Sequence, residues 1–475
     1  MTDLPATPGN KSKTSNKESR GARGHPATLI IQKDRVMTLP KRQIHLGLFL
    51  QGAGHHVAGW RYPGAESGSE NLPHLLRIAA IAERAKFDML FLADGLTSGA
   101  DAHPSMIARF EPLTLLAALA MATSRIGLVA TASTTYGEPF HLARAFASID
   151  HLSGGRAGWN VVTTSYARTA ANFGAVHPNH DERYAVAEEF VDVVKGLWDS
   201  WDDGAFPKDK ERGLYADPAR MNVLNHAGKY FSVKGPLNIP RPPQGHPVIV
   251  QAGSSDPGQD LAARTADVVF TAQENIEDAR RFYASLKARV TAQGRDPASL
   301  AIMPGFLPVL GRTTQEARDK LATLEGWTDP AHALPLLNER LGTDVSGYDL
   351  DGPLPDLPPS EQLQSRSRLL IGLARRENLT IRQLAQHVAA GRGHRLVCGT
   401  PVEIADEMQL WFETGAADGF NVMPPYFPGG LEDFADQVVP ILRERGLFRE
   451  EYEGTTLRGH FGLARPKSRF ATERV

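Results

Sequence analysis

The sequence predicts a (β/α)8 TIM barrel, which belongs to the α/β class. Segments with strand character alternate with helical segments eight times along the 475-residue chain, and no run of antiparallel strands interrupts them. The predicted strands are short and continuously apolar, as strands buried on both faces should be. Two long segments, at about 202–245 and 327–397, lack the alternation and are expected to be insertions.

Short apolar runs that end at polar or turn-forming residues mark the strands. In chain order these runs are 44–50, 87–93, 126–132, 157–162, 248–251, 268–271, 301–310 and 419–422. Apolar residues at helical spacing, several of them after a proline or a capping residue, mark the helices. The predicted helices are 71–86, 112–123, 139–152, 181–201, 257–265, 276–293, 314–324, 401–414 and 431–445, with a further helical portion at 379–389 in the second insertion.

The stretch 150–174, DHLSGGRAGWNVVTTSYARTAANFG, shows how a strand of this chain ends. Its SGG segment predicts a tight turn, because glycine reaches backbone angles that are closed to other residues. After the strand come four hydroxyl side chains, those of Thr163, Thr164, Ser165 and Tyr166. In barrels of parallel strands, ligands bind at this carboxyl end.

An open, doubly wound sheet is the alternative fold. Gly52 and Gly54 follow the first strand, like the start of a dinucleotide-binding loop. That loop needs a third glycine at position 57, where this chain has Val57. The barrel is therefore the prediction.

The composition argues against several classes of function. With 52 basic and 54 acidic residues and a net charge of −2, nothing points to nucleic acid or an anionic membrane as a partner. No apolar run reaches the ~18 residues of a transmembrane helix. Cys398 is the single cysteine, which excludes an internal disulfide and a thiolate metal cluster and fits a reducing, cytoplasmic location. We expect it to be a small buried residue rather than a nucleophile.

The two ends of the chain differ from its centre. Residues 1–40 are polar and rich in Lys, Ser, Gly and Pro, which predicts a disordered extension. No apolar segment precedes a small-residue cleavage site there, so a targeting peptide is not expected. Residues 464–475 are expected to form a tail, which leaves 41–463 as the barrel with its insertions.

Several motifs in one order carry a resemblance to a known family. Besides the stretch 150–174 they are FDMLFLAD at 87–94, TASTTYGEPFHLAR at 131–144, HDERY at 180–184, QAGSS at 251–255, GTPVEIADEMQ at 399–409 and DGFNVMPPY at 418–426. Through these motifs the chain resembles, from about 43 to 463, the nitrilotriacetate, dibenzothiophene-sulfone and long-chain-alkane monooxygenase group. That group belongs to the bacterial-luciferase-like flavin monooxygenases.

The resemblance implies an enzyme that uses reduced FMN (FMNH2) and dioxygen to oxygenate a small organic substrate through a flavin C4a-peroxide. An NAD(P)H:flavin reductase would supply the reduced flavin in a two-component system, since no NAD(P)H fingerprint is visible. The cofactor would perform the hard step while the protein orients it and excludes water. The insertions would form lids over the site, and the protein would be a homodimer or homotetramer.

Two candidate residues lie at the ends of neighbouring strands. The resemblance places both on the ring side of the flavin. Asp94 ends the second strand and Thr131 lies at the end of the third, so both are expected at the ligand end of the barrel. By resemblance Asp94 lies beside the flavin ring, and Thr131, or its neighbour Ser133, contacts the ring. A threonine hydroxyl can donate a hydrogen bond to ring atoms.

Three further candidates would bind the phosphate side of the flavin, according to the resemblance. His180 and Tyr184 lie one helical turn apart and share a helix face, and Ser255 follows the fifth strand in a loop of small residues. Helix starts and hydroxyl donors suit an anion. A metal site built from His177, His180 and Asp181 is disfavoured, because a remote ligand and the i,i+4 histidine pair of zinc helices are missing.

His55 and His56 are the candidate catalytic residues. They follow the first strand, where an imidazole could act as acid, base or donor near neutral pH. The resemblance places them on the substrate side of the flavin. Alkane-oxidising members carry a histidine where this chain has Ser165, so alkane oxidation is not expected here.

The substrate is not evident from the sequence. Arg61, Arg109 and Arg168 are candidates for binding a carboxylate or sulfonate. Two alternative functions stay open. One is a luciferase-like oxidoreductase that uses the deazaflavin F420, and the other is a flavin-binding protein without turnover. Sequence motifs of serine hydrolases, P-loop enzymes and zinc proteases are absent.

Overall fold

The computed structural model describes residues 42–99, 102–357 and 364–471. The extension predicted at 1–40 and the last four residues of the predicted tail lie outside this part of the chain. Within the described ranges, no helix has both the length and the apolar character needed to cross a membrane.

Eight parallel strands close into a barrel, which confirms the predicted fold class. The strands of the chain are β1 His45–Phe49, β2 Met89–Leu92, β3 Gly127–Ser133, β4 Ala157–Val162, β5 His226–Ala227, β6 Ser232–Val233, β7 Val248–Gln251, β8 Val268–Thr271, β9 Ala301–Leu310, β10 Arg395–Gly399 and β11 Gly419–Val422. The barrel runs β1-β2-β3-β4-β7-β8-β9-β11, and β11 pairs with β1 to close it. Each barrel strand coincides with or overlaps a predicted apolar run.

Helices surround the barrel. They are α1 Leu72–Arg84, α2 Pro104–Ile107, α3 Pro112–Ala122, α4 Pro139–Ser153, α5 His180–Trp198, α6 Asp256–Thr265, α7 Ile276–Ala292, α8 Thr314–Gly326, α9 Pro330–Leu341, α10 Gln364–Glu377, α11 Ile381–Gly391, α12 Pro401–Glu413, α13 Gly429–Asp433, α14 Val439–Glu444 and α15 Leu457–His460. A π-helical turn, Phe434–Val438, joins α13 to α14. Proline occupies the first turn of α3, α4 and α12, where its missing N–H costs no helical hydrogen bond.

The barrel interior is a packed core. Three rings, those of Phe49, Phe91 and Phe270, meet edge to face at centroid distances of 5.1–5.5 Å. At the amino ends of the strands, α15 closes the barrel. A Cβ added to Gly127 would lie 2.2 Å from Leu457 Cδ1, so glycine is needed where this helix approaches. With this end filled, the open end is the one at which the strands finish.

The two irregular segments contain structure of their own. The antiparallel hairpin β5–β6 lies between β4 and β7. Between β9 and β11 lie α9, α10 and α11, which share a separate apolar core that includes Leu337, Leu370 and Leu384. β10 then pairs in parallel with β9 beyond the barrel. One helical portion was expected in this region, and three helices are present.

Candidate active site

A cavity of about 320 Å³ opens at the carboxyl ends of the barrel strands. Its walls come from the ends of β2, β3 and β4, the loops after β4 and β7, the start of α5, and one side chain of α9. All five residues predicted to bind the cofactor line this one cavity, namely Asp94, Thr131, His180, Tyr184 and Ser255. Their convergence could not be seen from their separations in the sequence.

Threonine and serine hydroxyls of β3 form one wall. Thr131 is 4% exposed, and its Oγ1 accepts a 2.8 Å hydrogen bond from Asn160 Nδ2. Its own O–H therefore stays available as a donor toward the cavity. Ser133 also lines the cavity, but its Oγ lies 2.7 Å from Thr164 Oγ1 and accepts the amide of Thr135 at 3.1 Å. The structure thus brings both alternative ring-side residues to the cavity, and Thr131 has the freer hydroxyl.

The loop after β4 has a strained backbone. Thr164 has a φ of +38°, a region that β-branched residues rarely occupy. Arg183 of α5 stabilises this conformation, because its Nη1 donates a 2.8 Å hydrogen bond to the Thr164 carbonyl. The Arg183 Nε is buried and has no hydrogen-bond partner among the described residues. Since Arg183 also lines the cavity, a buried cation with an unused donor stands in its wall.

The start of α5 carries the predicted phosphate-side pair. Asn179 caps the helix by accepting the amide of Glu182, so the first turn begins at His180. The His180 ring packs against the Tyr184 ring at 5.0 Å, and His180 Nδ1 lies 3.0 Å from an Asp181 oxygen. The described part of the chain contains no group of three or more His, Cys, Asp or Glu side chains that could hold a metal ion.

The loop after β7 brings a second helix start to the same place. Ser255 caps α6, because its Oγ accepts the Gly258 amide at 3.3 Å, and it lies 3.5 Å from Tyr184 Oη. A Cβ on Gly253 would lie 2.5 Å from Gln251 Nε2, 3.0 Å from Gly258 Cα and 3.1 Å from Tyr184 Oη. Glycine thus permits the close approach of α5 and α6. Two helix N-termini and one buried guanidinium meet here, which is an arrangement that favours an anion.

Asp94 lies across the cavity and is paired. Its Oδ1 is 3.1 Å from Arg109 Nε, and Arg109 also donates to the Gly95 carbonyl. Burial raises the pKa of Asp94, although Arg109 opposes that shift. Arg109 is therefore committed to this carboxylate and is not available to an acidic substrate.

The other two arginines considered from the sequence lie in different places. The Arg168 guanidinium stands over the Tyr166 ring, 5.8 Å from its centroid, beside the cavity. Arg61 donates to the Trp327 carbonyl and lines a separate, apolar groove. Of the three, Arg168 alone stays close to the cavity with an exposed side chain.

The two candidate catalytic histidines are buried and are not among the described residues that line this cavity. His55 is completely buried, and its Nε2 donates to the Phe49 carbonyl at 2.8 Å, which leaves Nδ1 facing Arg392 at 3.5 Å. Burial, and then the charge of Arg392, depress the pKa of His55 well below its usual value. Burial likewise lowers the pKa of His56 to about 4, so both rings are neutral at pH 7. Their catalytic role stays a prediction.

Comparison with known proteins decides the family. A family model described as luciferase-like monooxygenase matches residues 49–418. The chain belongs to this family.

Two curated relatives and one solved structure resemble this luciferase-like monooxygenase over nearly their whole length. N-acetyl-S-(2-succino)cysteine monooxygenase of Bacillus subtilis (strain 168) is 56% identical over 92% of this chain and 100% of its own. Nitrilotriacetate monooxygenase component A of Aminobacter aminovorans is 50% identical over 90% of this chain and 98% of its own. The crystal structure of riboflavin lyase with modified FMN and riboflavin superimposes with a TM-score of 0.81 at 35% identity, over 90% of this chain and 98% of that one. The predicted resemblance is confirmed.

Two side chains of the luciferase-like monooxygenase site were not predicted. Arg183 lies inside the HDERY motif, three residues after His180, so helical spacing could have placed it on the same side of α5. Arg340 lines the cavity from α9, which belongs to the second insertion. No sequence pattern relates that insertion to the barrel, so nothing in the sequence indicates that Arg340 lies at the site.

Proposed function

We propose that the chain is a reduced-FMN-dependent monooxygenase. It uses dioxygen to oxygenate a small organic substrate, and a separate NAD(P)H:flavin reductase supplies the reduced flavin. The observation that carries the proposal is the convergence of Asp94, Thr131, His180, Tyr184 and Ser255 on one cavity at the ligand end of the barrel. When bound, reduced FMN would supply the electrons that activate dioxygen, through a flavin C4a-peroxide.

The residues present fit FMN. The cavity volume lies within the usual ~300–1,000 Å³ of small-molecule sites. At one end, the α5 and α6 N-termini, Tyr184, Ser255 and the unused Nε of Arg183 suit a phosphate. At the other end, the free O–H of Thr131 and the carboxyl of Asp94 suit the polar edge of a ring.

The chain itself would bind and orient the flavin and shield it from water. Arg183 would hold the loop after β4 in its strained conformation, and so keep the cavity wall in place for the flavin. Asp94 could retain a proton to higher pH than an exposed aspartate, because burial raises its pKa. Helix α9 would cover the cavity and exclude water.

The comparisons support both flavin as the cofactor and a reductase as the partner. The name of one relative calls it component A of nitrilotriacetate monooxygenase, which supports a partner component such as a reductase. The riboflavin lyase structure contains a modified FMN, which supports flavin as the cofactor. The reported relatives are named for substrates that carry several carboxylates, which supports a carboxylated small molecule here. A homodimer or homotetramer remains the expected assembly.

Rapid mixing tests the proposal. The protein is mixed anaerobically with reduced FMN, dioxygen is then admitted, and flavin absorbance is followed. We expect tight binding of reduced FMN and an oxygenated-flavin transient that outlasts the one seen with free flavin in buffer. The matched control is Tyr184→Phe with Ser255→Ala, which removes two hydroxyls from the cavity while the barrel core is kept. If wild-type protein neither binds reduced FMN nor alters its oxidation, the proposal is wrong.

A further inference from the structure

Arg340 stands in the cavity wall on the last turn of α9. Its Nη1 donates a 2.9 Å hydrogen bond to Tyr166 Oη, and its side chain is 18% exposed. Helix α9 is held by Leu336, Leu337 and Leu341, which are buried in the separate core of α9, α10 and α11. The guanidinium therefore projects from a packed element, not from a loose loop.

Most of the hydrogen-bonding capacity of this guanidinium is unused. Arginine has five N–H donors, and among the described residues Arg340 donates one hydrogen bond, to a neutral hydroxyl. Glu339 Oε1 lies 3.8 Å from Nη1, so the two side chains form an ion pair that is too long for a hydrogen bond. Because that ion pair uses none of the N–H donors, the other donors of Arg340 are available to an anionic ligand in the cavity.

A second guanidinium lies outside the first. The Arg168 guanidinium stands 5.8 Å from the centroid of the Tyr166 ring, and its Nε donates to Thr97 Oγ1 at 3.2 Å. Tyr166 is thus placed between Arg340 in the cavity wall and Arg168 on the surface. With two guanidinium groups and one carboxylate, that of Glu339, this edge of the cavity keeps a net positive charge that attracts anions.

We propose that Arg340 and Tyr166 form a carboxylate-binding subsite for the substrate, with Arg168 attracting the acid from outside. The subsite rests on the proposed function, because it assumes that the flavin phosphate binds beside Arg183 and Tyr184 and not beside Arg340. The planar guanidinium matches a carboxylate with two parallel hydrogen bonds. The substrate is therefore a small organic acid whose carboxylate binds at the α9 side of the cavity.

One competing source of the same chemistry is the flavin phosphate itself. Arg183 projects from the α5 start that carries His180 and Tyr184, whereas Arg340 projects from α9, and both donate to the loop after β4. If Arg340 served the flavin, its removal would weaken the binding of FMN but not of riboflavin, which has no phosphate. A test must therefore follow the two ligands separately.

Anaerobic calorimetry of the full chain loaded with reduced FMN provides the test. Succinate is titrated as the probe, and neutral dimethyl succinate is the comparison. The variants are Arg340→Met, Arg340→Lys and Tyr166→Phe, with Arg312→Met as the control, since the Arg312 side chain is 91% exposed and is not among the described residues that line the cavity. Thermal unfolding shows which variants are folded, and Arg340→Lys keeps the charge if Arg340→Met does not fold.

We expect wild-type protein to prefer succinate to its diester. Arg340→Met should weaken succinate binding by about tenfold or more, and Arg340→Lys by less, because lysine keeps the charge but loses the paired hydrogen bonds. Binding of the diester and of reduced FMN should change by less than about twofold. Tyr166→Phe should weaken succinate binding by a few-fold, and Arg312→Met should have no effect.

Three outcomes would overturn the subsite. They are equal binding of succinate and its diester by wild-type protein, unchanged succinate binding by Arg340→Met, and a loss of FMN affinity in Arg340→Met that riboflavin does not share. The succinate titration is repeated without flavin. Arg340-dependent succinate binding by a chain that binds no reduced FMN would support the subsite while contradicting the proposed monooxygenase function.

Discussion

Arg183 and Thr164 are joined by a 2.8 Å hydrogen bond from the guanidinium Nη1 to the carbonyl oxygen, at the residue whose φ is +38°. The bond ties the first turn of α5 to the loop after β4, so two walls of the cavity depend on one side chain. The same side chain keeps its buried Nε unpaired within the described part of the chain. Arg183 thus connects backbone strain with an unused hydrogen-bond donor in the site.

Replacing Arg183 with Met should weaken flavin binding. The change removes the cation and the donor at the proposed phosphate end, and we expect about tenfold weaker binding of reduced FMN and about 1–3 kcal/mol lower stability. Reduced riboflavin should be affected much less, because it lacks the phosphate. Anaerobic fluorescence titration with both flavins measures the difference, and Arg212→Met, at an 82% exposed side chain, is the control. Equal losses for FMN and riboflavin would show that Arg183 acts through the loop alone.

Removing the Thr131 hydroxyl should show which of the two candidates, Thr131 or Ser133, contacts the flavin ring. Thr131→Val deletes the O–H donor and leaves the Asn160 amide without its acceptor, so both flavin affinity and stability should fall, the latter by about 1–3 kcal/mol. Thr131→Ser keeps the hydroxyl and should preserve both. Ser133→Ala should lower stability more than flavin affinity, because the Ser133 hydroxyl is already engaged with Thr164 and the Thr135 amide. A larger loss of flavin affinity in Ser133→Ala than in Thr131→Val would reverse the assignment.

The barrel could be predicted because its strands carry a local signal. The strand Val248–Gln251, for example, begins with three consecutive apolar residues and ends at Gln251, and burial on both faces makes the apolar run continuous. The five cofactor residues could be named because each belongs to a motif of the family. That they share one cavity follows only from closure of the barrel, which brings Asp94 and Ser255 to the same end.

The contacts that the second insertion makes with the site could not be predicted in the same way. Arg340 lies on α9, and its position at the site depends on tertiary packing, which leaves no periodic pattern in the sequence. The burial of His55 and His56 could not be predicted for the same reason. The next residue, Val57, donates its amide to the Ala389 carbonyl of α11, so the insertion covers the loop that carries both histidines. A pair expected at the mouth of the barrel is instead buried under α11.

Buried neutral histidines should make stability depend on pH. The pKa of His56 is about 4 in the folded protein and about 6.5 when unfolded, so the unfolded chain binds more protons between these values. The free energy of unfolding is highest above about pH 6.5. It falls as the pH drops to about 4, and His56 accounts for about 3 kcal/mol of that loss. The lowered pKa of His55 acts in the same direction. Urea unfolding at pH 7.5, 6 and 5 should show the loss.

His56→Asn supplies the matched variant for this pH dependence. Asparagine keeps an oxygen that can accept the Ala58 amide, which His56 Nδ1 now accepts at 3.1 Å, but it does not titrate. The slope of unfolding free energy against pH should become shallower in this variant. His141→Asn, at an exposed position on α4, should keep the wild-type slope. An unchanged slope in His56→Asn would mean that His56 binds its proton as readily in the folded protein as in the unfolded chain, contrary to its burial.

Gly253→Ala should weaken flavin binding by steric displacement. Its Cβ would lie 2.5 Å from Gln251 Nε2, 3.0 Å from Gly258 Cα and 3.1 Å from Tyr184 Oη, so the loop after β7 must shift relative to α5 and α6. Because the proposed phosphate end uses both helix starts, we expect about tenfold weaker binding of reduced FMN, with a smaller change in thermal stability. Gly326→Ala is the control, since an added Cβ there meets nothing within 4 Å. Wild-type flavin affinity in Gly253→Ala would show that the cavity tolerates this shift, and would contradict a role of the loop after β7 in the proposed phosphate site.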